Sequence, residues 1–163
     1  MTPPLYAFEI ALRARPDAAL AGRDFVDAWG TWATLDICKD SLAAPMAIGF
    51  DDAFERLALI ERMFAEPDGS FVWACSASPA TPGEPRWQVD GNAFDRDGRV
   101  VLVDLKGSCP APEFDRLLAA FGWPGQPMAM ELVRPAVVLD EATFRRHAAA
   151  RASGQGGRPP RDA

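Results

Sequence analysis

A single histidine, His147, stands in a chain of 163 residues. Metal centres built from two or three imidazoles are therefore excluded, and acid-base chemistry has one imidazole at most. Cysteine is nearly as scarce: Cys38, Cys75 and Cys109 are an odd number, far apart, with no Cys-x-x-Cys pair. That spacing suits reduced thiols better than a disulfide framework or a zinc site. No apolar run approaches the ~20 residues that cross a bilayer. The stretch from Met1 to Tyr6 lacks the basic and apolar regions of a secretion signal, so no membrane contact is expected and the expected location is the cytoplasm.

Phosphate-binding signatures are missing too. Gly154, Gly156 and Gly157 surround Gln155 after a helical stretch and open nothing, which is linker composition. Lysine occurs only twice, and a net charge of −6 argues against a nucleic-acid partner, because phosphate binding draws on clustered Lys and Arg. From Arg134 onward six arginines face three acids, a local +3 that leaves −9 for the preceding residues. Acids at a helix start and arginines at its end account for that end of the chain through the helix dipole. The preference for Arg over Lys and the abundance of Ala fit a GC-rich bacterial genome.

What is present is a core: 48% apolar residues, 16 of them aromatic, in a length that suits one domain. Phe71 to Cys75, Arg86 to Asp90 and Arg99 to Leu105 read as three strands. The first two alternate with period two, whereas Val100 to Val103 is a continuous aliphatic run expected to be covered on both faces, as the central strand. Asp97-Gly98 predicts a hairpin between the second and third, and Ala77 to Pro85, with three prolines, predicts a projecting loop.

The remaining chain supplies strands and helices that are not interleaved one by one. Tyr6, Phe8, Ile10 and Leu12 mark a first strand ended near Pro16. Residues 17 to 37 read as loop or short helix followed by a strand, and Met46 to Phe50 as a weak strand. The Asp52 and Glu55 spacing predicts a capped helix running to Ala65. Pro110 and Pro112 lead into a helix from Glu113 to Phe121, stopped by Gly122. Met128 to Leu139 is strand material broken by Pro135, and Asp140 caps a last helix. The order predicts an α+β fold: a single domain over 1–151, mostly antiparallel, with a central three-strand meander and about three helices packed on one face. Residues 152–163 have nothing to bury and are expected to form a disordered tail.

No group of residues has the types and spacing of a particular chemistry. Asp90, Asn92, Asp95 and Asp97 cluster near Gly98, but an EF-hand alignment puts Ala93 first and Asp104 last, so the motif fails at both ends, and turn chemistry explains the cluster. His147, among Arg145, Arg146 and Arg151, reads as an exposed helix residue with no orienting partner nearby in sequence. Cys75 reads as core packing. Paired carboxylates such as Glu113 with Asp115, or Asp51 with Asp52, fall at helix starts. Trp29, Trp32 and Trp123 fall in loop or edge positions, where exposed aromatics mark contact surfaces, and are the candidate binding residues.

The function expected from these features is a non-catalytic protein-binding module of the adaptor, inhibitor or immunity type, with no cofactor. The alternative is a small enzyme or ligand-binding protein whose site is assembled from sequence-distant residues, with Cys75, His147, Asp90 and Asp104 the nameable candidates.

Overall fold

The strand β1 (Leu5–Ala14) is the middle of the molecule. Its even-numbered residues Tyr6, Phe8, Ile10, Leu12 and Ala14 point into the core, while Glu9 and Arg13 lie on the opposite face and stay partly exposed. This is the period-two consequence of a pleated strand. The computed structural model describes residues 3–75 and 86–154. These residues form a single α+β domain around one nine-stranded, wholly antiparallel sheet.

On one side β1 pairs with β9 (Arg99–Pro110), followed outward by β8 (Gln88–Arg96), β7 (Ser70–Ala74) and β6 (Met63–Ala65). On the other side come β10 (Met128–Leu132), β11 (Val137–Asp140), β5 (Leu35–Asp36) and β2 (Leu20–Ala21). Two short strands, β3 (Phe25–Asp27) and β4 (Gly30–Trp32), pair as a separate hairpin. The expected meander is thus one half of the sheet and not its centre, because β1 inserts between β9 and β10 and continues the ladder beyond it.

Among the described residues there are four helices. Along the core face, α2 (Phe50–Ala58), α3 (Ala111–Ala120) and α4 (Glu141–Gly154) cover a cluster that includes Phe8, Phe71, Phe114, Phe121 and Phe144. The four-residue α1 (Lys39–Leu42) lies instead on the reverse face, where Leu42 packs with Ala129 and Val138. The expectation of helices on one face is corrected accordingly. Ala129 and Val138 have the opposite strand parity from Met130 and Leu139, so a second, smaller apolar cluster needs its own cover.

Several boundaries differ from the sequence reading for identifiable reasons. The helix α2 starts after Gly49 and uses no side-chain cap. It stops at Ala58, because Arg62 takes a positive φ of 64° and Met63–Ala65 turns into an edge strand against Phe71–Trp73. Met46 to Phe50 forms no strand; its backbone meets β9 through isolated bonds such as Met46 N–H to the Val100 carbonyl at 2.7 Å.

The run Val100 to Val103 is not covered on both faces. Phe94 faces Leu102 while Asp95 faces Val100, so Val101 is an extra residue that bulges out of the ladder. The bulge re-phases the strand, which is why Val100 and Val103, three apart, are both fully buried while Val101 and Leu102 are partly exposed. Cys75 is half-buried, not core; the cysteine inside the core is Cys109. The last helix continues to Gly154, which moves residues 152–154 from the expected tail into the body. The predicted loop at 77–85 and the tail beyond Gly154 lie outside the described residues.

Candidate functional site

The last helix carries its buried residues at Thr143, Phe144, His147 and Ala148, the three- and four-residue spacing of one helical face. Phe144 sets that face by packing on Tyr6, Phe8 and Phe114. His147, one turn further on, is therefore carried inward and not to solvent; it is 3% exposed, which corrects the expectation of an exposed residue.

A buried imidazole needs a partner, and the β3–β4 hairpin supplies it. Asp27 and Gly30 pair across the two-residue turn Ala28-Trp29, and Gly30 takes a φ of 148° that an L side chain rarely adopts. Asp27 Oδ1 accepts the Trp29 N–H at 2.9 Å, a local side-chain turn, and the Trp32 indole N–H at 3.0 Å. Its other oxygen, Oδ2, lies 2.7 Å from His147 Nε2. Burial raises the carboxyl pKa of Asp27, but the donors Trp32, His147 and Trp29 outweigh it and hold the group below the ordinary aspartate value. An ionised carboxylate only accepts, so Nε2 carries a proton toward Asp27.

Two indoles enclose the imidazole. Trp32 meets it edge-on with ring centres 5.0 Å apart, and Trp29 does so at 5.8 Å. The Arg151 guanidinium, one helical turn beyond His147, lies over the Trp29 ring at 5.7 Å. Trp29 also covers the end of α4 at Gly154, where a Cβ would come within 2.5 Å of its indole nitrogen.

Of these groups Asp27, Trp29, His147 and Arg151 line a cleft of about 530 Å³. Phe25 of the hairpin lines it as well, together with the β10–β11 turn, Leu132 to Pro135, and Glu9 of β1. Arg134 in that turn is largely exposed and forms an ion pair with Glu9, Nε to Oε2 at 3.4 Å. The cleft thus combines an apolar surface with a few convergent polar groups, the usual character of a ligand site.

Of the sequence-predicted binding residues, the structure brings Trp29 and Trp32 together around His147. Trp123 lies elsewhere: its indole N–H donates to Glu141 Oε2 at 2.9 Å, and Arg145 lies 5.4 Å from its ring while pairing with Asp115 and Glu141. The conceivable Cys75–His147 pair is not formed. Cys75 Sγ instead accepts the Trp87 N–H at 3.4 Å, beside β7.

Asp90 and Asp104 lie on the uncovered sheet face, around a smaller hollow of about 330 Å³ with Glu9 and Lys106. Burial, assisted by Glu131, raises the Asp104 pKa against the opposing pull of Arg13. Asp95 Oδ2 accepts the Gly98 N–H at 3.1 Å and so serves the hairpin turn. Among the described residues no group of three or more His, Cys, Asp or Glu could hold a metal ion, and no helix is long and apolar enough to cross a membrane. Comparison with family models, with curated proteins and with solved structures finds no match for this chain.

Sequence reasoning missed Asp27, Arg134 and Arg151. For Asp27 a signal existed: Asp27-Ala28-Trp29-Gly30 between β-branched and aromatic residues has the composition of a tight hairpin turn. Arg134 and Arg151 carry no local signal, since only tertiary packing sets them on one cleft.

Proposed function

We propose that this protein is a non-catalytic binding module and that the cleft beside the Asp27–His147 pair is its recognition site. The observation that carries this reading is the use of the pair itself. In a nucleophilic site, an Asp-oriented histidine needs a hydroxyl or thiol within hydrogen-bond reach. The lining residues, Glu9, Phe25, Asp27, Trp29 and the Leu132 to Pro135 turn with His147 and Arg151, include none. Asp27 and His147 instead tie the β3–β4 hairpin to α4 and hold Trp29 over the cleft, which is pre-organisation for binding.

A second reading, contact with a partner protein through a flat surface, is favoured by Phe94 and Val72 on the uncovered sheet face and by Phe64 on the edge strand, which are 42%, 38% and 71% exposed. The two are separated by a fragment screen on ¹⁵N-labelled protein. The cleft reading expects bound fragments to shift the Trp29 indole and the Arg134 and Arg151 amides without being converted. Shifts confined to Val72 and Phe94 favour the flat surface.

A further inference from the structure

The charge of the cleft narrows what it can hold. Glu9, Asp27, Arg134 and Arg151 carry formal charges that sum to zero. The two acids are not equally free. Both Asp27 oxygens are already occupied by three donors, from Trp32, Trp29 and His147, so this carboxylate makes no demand on an incoming cation. The two guanidiniums have capacity to spare. Arg151 lies over Trp29 and has no acidic partner among the described residues, and Arg134 makes a single 3.4 Å contact to Glu9. A guanidinium with unused N–H groups at the rim of an apolar cleft suits a planar monoanion taken up in bidentate fashion.

The rest of the surface specifies the body attached to that anion. Phe25, Leu132, Val133 and Pro135 offer apolar side chains, and Trp29 adds an indole ring. A volume of about 530 Å³ falls within the few hundred to about a thousand Å³ of small-molecule sites. A phosphate monoester would bring about two charges to a cleft in which Arg151 is the one cation without an acidic partner among the described residues, so a monocarboxylate is the better fit.

We propose that the cleft binds a small aromatic monocarboxylate, its carboxylate between Arg151 and Arg134 and its ring against Trp29 and Phe25. The inference rests on the cleft being the recognition site. It is tested by titrating ¹⁵N-labelled protein with phenylacetate and indole-3-acetate, and separately with phenylacetamide, while following the Trp29 indole resonance. The carboxylates are expected to give saturable shifts, the neutral amide to bind at least about tenfold more weakly, and Arg151→Gln to weaken the carboxylates by about tenfold while leaving the amide unchanged. Arg134→Gln is the second variant, and far-UV circular dichroism establishes that each is folded.

Equal binding of acid and amide at Trp29, or no effect of either substitution on the acids, would overturn the carboxylate assignment and leave the cleft standing as a recognition site. No shift of Trp29 by any compound, with shifts elsewhere, would remove both.

Discussion

His147 and Asp27 are 120 residues apart in the chain and 2.7 Å apart in space. Their bond is a polar tie between a small hairpin and the body, made where the imidazole is 4% and the carboxylate 14% exposed. Removing one partner of a buried, hydrogen-bonded pair costs more than the bond itself is worth, because the other is left desolvated. Asp27→Asn and His147→Gln are each expected to cost about 1–3 kcal/mol in urea unfolding. The double variant should cost less than the sum of the two by about 1 kcal/mol or more. Additive effects would mean that the two side chains do not interact.

The same pair gives a pH dependence with a definite sign. Asp27 has its folded pKa held below the ordinary aspartate value of 3.8. Its contribution is therefore complete above the unfolded pKa and is lost as pH falls through the folded one. The stability difference between the native protein and Asp27→Asn should shrink as pH drops from about 5 toward about 2. A difference that is constant over that range would contradict the assigned ionisation.

The bulge at Val101 makes neighbouring positions differ sharply in tolerance. Val103 is fully buried, so Val103→Asp places an unpaired charge in the core at a cost of several kcal/mol, against a total stability of about 5–15 kcal/mol. That variant is expected to be unfolded or insoluble. Val101, the partly exposed extra residue, should accept Asp with a loss of about 1 kcal/mol. Equal damage at both positions in thermal melts would show that the strand is not re-phased.

Among the cysteines, Cys38 should be the reactive one. It is exposed, and hydrogen bonding with Ser41, Sγ to Oγ at 3.0 Å, lowers its pKa, whereas burial, aided by the Glu113 and Asp115 charges, pushes the Cys109 thiol up. Iodoacetamide at neutral pH is expected to label the native protein fastest at one site, and Cys38→Ser to remove that phase. Persistence of the fast phase in the variant, measured by mass spectrometry, would reassign it to Cys75.

Much of the fold was legible where one local signal had no competitor. Tyr6, Phe8, Ile10 and Leu12 marked β1 by alternation, and Phe114, Leu117 and Leu118 marked α3 between Pro110 and Gly122. The end of α2 was not legible, because Met63 and Phe64 continue a helical spacing that strand pairing with Val72 and Trp73 overrides. Val100 to Val103 looked doubly covered because a bulge and a buried strand both produce a continuous apolar run. The site was half legible: Trp29 and Trp32 stood out as tryptophans in a turn-rich stretch. His147 was misread because the charges beside it hid the Phe144–His147–Ala148 face, and its partner lay in the stretch where periodicity is weakest.

On the reading proposed above, recognition takes place in the cleft and not on the open sheet face. The direct measurement is the affinity of the tightest-binding carboxylate for Trp29→Ala and for Phe94→Ala, with both proteins first established as folded. Trp29→Ala is expected to weaken binding by at least about tenfold, the loss of one stacked aromatic contact, and Phe94→Ala to leave it unchanged. Loss of binding in Phe94→Ala with full retention in Trp29→Ala would contradict this reading.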